Sequence, residues 1–410
     1  RTNTQKYMGV NKVGTLVIFE FKKFFKRKKN LIGILLLIVF TFLYIILNNS
    51  IDSKRISSEK SSCDFAIESV TNALNSIKEE YKNDKSGDTS KLNRMKIIID
   101  SYENQLKLLN EESKAIASND WKRKLSAQIK LDKAAALDIS ENRVVSGESL
   151  QEIQNRIDIN EILLSKNIKP IYSDTSMTSY NFIILSSTSI MPLLLIIILF
   201  LLASDSVSSE VDEGTFKILL TQPISRSKVI FSKIISYSFI CILLVAAVYL
   251  LFFIGLGLTK GFGSPYYPTA YYTGNFANIF AGNKSYNKIF IDARSFIFYI
   301  IPIYILLIIT VVSMSILVST LISNSTGAIC FSVIVYTTYY IFSTQLKLFK
   351  GFAQFVPFTY SNIPSILNGA SIAQLENPNI TYTMGIVVLT ITTFICCILS
   401  LTLFKKKDIY

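Results

Sequence analysis

Several stretches of this chain run for close to 20 residues with almost no charged side chain, among them MPLLLIIILFLLA and ICILLVAAVYLLFFIGLGL. Such a run leaves water only as a helix that satisfies its own backbone, and about 20 residues match the hydrocarbon thickness of a bilayer. Six crossings are expected: Leu31–Leu47 within residues 31–48, Phe182–Ala203, Ile234–Leu258, Phe296–Leu317, Thr326–Phe342 and Met384–Phe404. The second carries Pro192 inside it, and Ser186, Ser187, Thr188 and Ser189 are expected to satisfy the carbonyls that a proline frees. The segment 347–383, with Pro357 and Pro364 among aromatics, is too broken to cross and reads as re-entrant or interfacial.

Composition removes whole classes of chemistry. The 410 residues contain no histidine, so the commonest general base and metal ligand are missing. Four of the five cysteines lie in apolar runs and Cys63 stands alone, which argues against a metal site or a disulfide framework. The net charge of +13 points to no nucleic acid. Lys22, Lys23, Lys26, Arg27, Lys28 and Lys29 precede the first span and Lys405–Lys407 follow the last, where basic residues mark a cytoplasmic face. Six crossings with the N-terminus inside therefore place both termini in the cytoplasm.

Between the spans the chain has three further parts. Residues 1–30 include a basic helix with Val13, Val17, Phe21, Phe24 and Phe25 on one side, suited to the headgroup region. Residues 49–178, with 20 Lys/Arg against 21 Asp/Glu, read as a water-exposed helical domain on the outer side. Ala66–Tyr81 and Leu92–Leu109 are expected to pair as a hairpin about the turn at Lys85–Ser90. Its role is open between a spacer and a ligand-contacting element. The Tyr-rich loop TKGFGSPYYPTAYYTGNF follows the third span, as expected at a membrane–water boundary.

The remaining part, SSEVDEGTFKILLTQPISRSKV, interrupts the apolar runs at Ser208–Val229. Asp205, Ser206, Ser208 and Ser209 are candidate N-caps, and Glu210, Asp212 and Glu213 suit a first helical turn. Val211, Phe216, Leu219 and Leu220 supply an apolar edge, and Pro223 ends the helix. Lys233 is expected to snorkel to the interface. The expected product is a short amphipathic helix over residues 205–229, shaped for a groove on another protein.

This segment resembles the first cytoplasmic loop of ABC-2 type transporter permeases: Glu210, then Glu213-Gly214-Thr215, Leu219-Leu220, Thr221-x-Pro223-x-Ser225-Arg226, and Lys233 beyond. The resemblance implies an all-α membrane protein with six transmembrane helices of ABC-2 (type V exporter-like) architecture, plus an extracellular helical domain. It further implies a bacterial exporter permease that pairs with a second permease subunit, as a homodimer or heterodimer, and with ABC ATPase subunits. By that resemblance Glu210, Glu213, Gly214, Thr215, Phe216, Leu219, Leu220, Pro223, Ser225 and Arg226 form the ATPase-coupling contact. The chain itself has no G-x-x-x-x-G-K-[ST] loop, so either a separate subunit hydrolyses ATP or this is not a pump; the resemblance implies the former, with ATP and Mg bound by the partner and no enzyme activity expected on this chain.

The family's route between spans two and five makes Ser186, Ser187, Ser189, Thr337, Thr338 and Tyr339 candidate lining residues; plain interhelical hydrogen bonding is the competing role. No Asp, Glu, Lys or Arg stands in the middle of a span, which favours a peptide, antibiotic or lipid-like cargo over sodium ion. The alternative to a pump is a membrane sensor or immunity protein whose outer helices bind a ligand without transport.

Overall fold

A computed structural model describes residues 2–84, 88–141, 148–171, 176–188, 190–215, 225–272, 288–344 and 350–406. Its helices are α1 (Thr2–Lys26), α2 (Lys28–Asn83), α3 (Thr89–Ala117), α4 (Trp121–Ser140), α5 (Leu150–Ser165), α6 (Ser179–Ser186), α7 (Met191–Ala203), α8 (Ser208–Asp212), α9 (Arg226–Lys260), α10 (Ala293–Leu321), α11 (Ser325–Thr344), α12 (Ile363–Leu367), α13 (Ala370–Leu375) and α14 (Tyr382–Lys406). Strands β1 (Pro268–Tyr272) and β2 (Lys288–Asp292) pair as a two-stranded sheet. The protein is an all-α membrane protein with this one small β element among the described residues. Among the described residues, six helical segments are long and apolar enough to cross a membrane: Lys28–Asn83, Met191–Asp212, Arg226–Lys260, Ala293–Leu321, Ser325–Ser343 and Tyr382–Lys406.

The chain divides into two compact units. The first comprises Arg1–Ile46, Met177–Gly263 and Ala270–Tyr410 and holds the apolar helices. Its core is built along α10, which packs on α9, α7 and most extensively on α14. Apolar contact alone gives little preference for one helix over lipid, so polar groups fix the pairing. Thr310 Oγ1 lies 2.9 Å from Thr393 Oγ1 and donates to the Leu389 carbonyl at 3.2 Å, tying α10 to α14. The segment Ala353–Leu375 is a chain of short turns, two 3-10 pieces (Ala353–Phe355 and Pro357–Ser361) followed by α12 and α13, none long enough to cross.

Two boundaries differ from the sequence reading. The second apolar run is not one helix: α6 stops at Ser186 and α7 starts at Met191, with Pro192 in its first turn. At that position the missing N–H costs no helical hydrogen bond. The expected hydroxyls do meet backbone carbonyls, but at the end of α6: Ser187 Oγ donates to Ile183 O at 2.7 Å and Thr188 Oγ1 to Leu185 O at 2.7 Å. The second difference is α2, which continues without interruption from the first apolar run to Asn83. From Ile34 to Asn83 the sequence has neither Gly nor Pro, so the polar stretch NNSIDSKR has nothing to break the helix.

The second unit, Leu47–Ser176 with Ser264–Thr269, is organised by caps and ion pairs. Asp88 and Asp120 accept backbone N–H groups at the starts of α3 and α4, and Ser149 with Glu152 closes a capping box on α5. The Arg156 guanidinium grips buried Asp132, with Nη2–Oδ1 at 2.6 Å, and also reaches Glu148. Among the described residues its apolar core includes two small clusters, Leu125/Leu163/Ile168 and Ile129/Ile153/Ile157.

Close packing makes one glycine diagnostic. A Cβ on Gly385 in α14 would fall 2.6 Å from the Tyr360 ring, whereas one on Gly255 in α9 would meet nothing within 4 Å. Gly385→Ala is therefore expected to lower stability by about 1–3 kcal/mol through overpacking. Gly255→Ala should leave it unchanged or slightly raised, both read from thermal midpoints in the same detergent.

Candidate functional site

The basic helix α1 does not simply float at the headgroups. Phe24 is fully buried with its ring edge-on to Tyr237 of α9 at 5.5 Å, while Ile18, Phe19 and Phe25 stay exposed. Beneath this aromatic contact lies an ion cluster. Lys233 of α9, 0 % exposed, holds Glu20 of α1 at 2.7 Å and Glu210 of α8 at 2.8 Å. Lys23 adds a second cation to Glu210. Next to it Asp205 receives Lys29 at 2.5 Å and Arg27 at 3.5 Å. Charges removed from water are tolerable only when paired this closely. Three elements distant in sequence, α1, α8 and α9, are thereby joined at one point.

The same α8 elbow is tied to the other side of the unit through hydroxyls. Ser319 Oγ of α10 accepts the Val207 and Ser208 N–H groups, each at 2.9 Å, and donates to Ser208 Oγ at 3.2 Å. Ser204 Oγ donates to Ser332 Oγ of α11 at 3.1 Å. The Asp212 carboxylate accepts the Ser325 N–H at 2.7 Å and so caps the start of α11. Gly214 follows α8 at φ +69°, a left-handed turn that a side chain would strain.

A family model described as ABC-2 family transporter protein matches residues 15–409. The chain belongs to the ABC-2 transporter family. No curated protein sequence matches it. As an ABC-2 permease subunit it is a multi-pass membrane protein of an ABC transporter, and the family works with an ABC ATPase carried on a separate subunit.

The structure of this ABC-2 permease sorts the residues singled out in its sequence. Glu210 is 2 % exposed and faces Lys233 and Lys23, so it pairs inside its own chain rather than offering a carboxylate to a partner. Lys233 does not snorkel; both acids hold it in the interior. Asp212, Glu213, Gly214 and Thr215 are exposed beyond the elbow. Ser225 precedes α9, and Arg226 donates to the Lys405 carbonyl at the end of α14 at 3.2 Å. Phe216, Leu219, Leu220 and Pro223 lie outside the described residues, as does Ser189. Asp205, Ser206, Ser208 and Ser209 are not side-chain caps of α8, whose N-cap is Val207.

The route candidates do not form one surface. Ser186 is buried, and Ser187 borders an apolar crevice of about 270 Å³ with Ile242, Tyr249 and Tyr304. Thr337 donates within its own helix to Val333 O, and Thr338 is exposed. Tyr339 lines a separate cavity of about 340 Å³ with Thr188, Pro192, Tyr336 and the turns after α11. Glu20, Lys23, Arg27, Lys29 and Asp205 carry the cluster but were not singled out for it. The one available signal was a lone acid, Glu20, in an otherwise basic helix.

Proposed function

We propose that this permease moves an amphipathic or hydrophobic molecule, peptide, antibiotic or lipid-like, outward across a bacterial membrane. In this reading the termini and the α8 elbow face the cytoplasm, Leu47–Ser176 faces outward, and two permease copies or two related chains work together. ATP and Mg are bound by the ATPase partner. Glu213, Gly214, Thr215, Phe216, Leu219, Leu220, Pro223, Ser225 and Arg226 form the coupling contact, and Glu210 serves it from behind as a positioning residue. The observation that carries the reading is the Glu20–Lys233–Glu210 cluster. It makes α1 and α9 follow any displacement of the elbow that bears the exposed Asp212–Thr215 edge.

Cross-linking tests this. With the five native cysteines replaced, a single cysteine at Glu213 or Thr215 is expected to cross-link to a cysteine-bearing ATPase subunit and to react only with thiol reagents applied from the cytoplasmic side. Labelling from outside, or failure of both positions to cross-link in an assembled complex, removes the coupling assignment.

A further inference from the structure

The cavity of about 340 Å³ bounded by Thr188, Pro192, α11 and the turns at Phe358–Leu375 has a lining of unusual chemistry for a membrane protein. Among the described residues, eleven of the fourteen that line it carry a hydroxyl or a carboxamide, and none of the fourteen carries a charge. Glu376, next in the chain to the lining Leu375, is taken by Lys350 at 2.5 Å. Some of the polar groups are already committed: Tyr339 Oη lies 2.5 Å from Thr359 Oγ1, which also donates to Ala353 O at 2.6 Å, and Ser343 Oγ donates to Tyr340 O.

Tyr336 is not committed in this way. It is 1 % exposed, and its ring is held edge-on to Phe358 at 4.9 Å and tilted against Phe200 at 6.3 Å. Its buried hydroxyl borders the cavity with Ser361 as its polar neighbour, and among the described residues it makes no hydrogen bond within 3.5 Å. Such a hydroxyl is free to accept from or donate to an incoming group, or to Ser361 when the cavity is empty.

We propose that this cavity binds the uncharged, hydrogen-bonding end of an amphipathic ligand, a group rich in hydroxyls or amides, with Tyr336 as a specificity-determining contact. A charged head entering here would give up its hydration and meet no counter-ion among the described lining residues, so the site discriminates by what it lacks as well as by what it offers. Its volume lies at the small end of ligand sites, which suits a headgroup rather than a whole drug-sized molecule. The inference rests on the transport reading only in taking the ligand to be cargo; binding itself needs no pump.

The test uses the full-length permease with its ATPase subunit in nanodiscs and four probes sharing a six-carbon tail, below their micellar concentrations. These are hexyl glucoside, hexanoyl glycinamide, hexyl sulfate and hexyltrimethylammonium. Saturable binding is measured by equilibrium dialysis beside ATP turnover. At least one neutral probe is expected to bind at least about tenfold more tightly than both charged ones, and whether sugar or amide leads identifies the source of the hydrogen bonds. Tyr336→Phe, which keeps the ring, is expected to weaken that probe by about fivefold, the worth of one hydrogen bond. Gln374→Glu is expected to turn the preference toward the cation. Equal binding of all four probes, or a Tyr336→Phe chain that binds as before, overturns the proposal. Neutral probes that bind with these preferences yet leave ATP turnover unchanged would retain the site and remove the transport reading instead.

Discussion

Exchanging Lys233 for methionine is expected to lower the unfolding stability of the permease by about 3–5 kcal/mol, the usual cost of stranding a buried ion partner. Methionine nearly preserves the volume, so the loss would be electrostatic. Glu20 and Glu210, each with a side chain 3 % exposed, would keep only Lys23 between them, and Lys23 reaches Glu210 alone. Unfolding in mixed micelles reads the change directly. A midpoint within error of wild type would mean that the cluster bears no load. The triple exchange Glu20→Gln, Glu210→Gln, Lys233→Met should recover most of the stability, because the fully buried charges go together and only Lys23, whose side chain is 20 % exposed and can turn to water, loses its acid. That variant separates strength from coupling: it is expected to fold well and yet transmit poorly.

Glu213→Arg combined with Pro223→Leu should produce the largest functional effect, a loss of cargo-stimulated ATP turnover of more than about tenfold, equivalent to about 1.4 kcal/mol of coupling. The Glu213 side chain is 56 % exposed and its one described ion contact, to Arg27 at 3.9 Å, is long. Reversing its charge is therefore expected to change stability by less than about 0.5 kcal/mol. Pro223 ends the helix that the sequence pattern predicts, so Pro223→Leu removes that stop. Reconstitution of the double variant with the ATPase checks both halves: normal insertion and thermal midpoint, with stimulation gone. Unaltered stimulation would exclude this loop as the point of transmission.

Much of this architecture is written in local sequence, and the parts that are not share a cause. Runs such as Ile234–Leu258 and Met384–Phe404 announce membrane helices because length and apolarity alone decide them. The loop proposed for coupling stands out as a pattern, Glu-Gly-Thr through Pro-x-Ser-Arg. The fate of Glu210 was not, since Glu20, its fellow acid on Lys233, stands 213 residues from that lysine. The continuous α2 was readable in principle, for the absence of Gly and Pro outweighs a polar stretch. The hydroxyl-lined cavity was only half visible. Tyr336, Tyr339 and Tyr340 are conspicuous in their span, but Ser361, Asn362 and Ser371 come from turns whose placement no periodicity encodes.

The joint where Ser204 meets Ser332, and Ser208 meets Ser319, is made of groups that rotate and can each donate and accept. A small slip between paired hydroxyls can exchange one partner for another as long as Ser319 Oγ still meets the Val207 and Ser208 N–H groups, whereas interlocked leucines would have to climb out of their sockets. The elbow is thus welded on its ionic side and greased on its hydroxyl side. On the proposed coupling, motion entering it would pull on α1 and α9 through the ion cluster and reach α10 and α11 through these hydroxyls and the Asp212 cap.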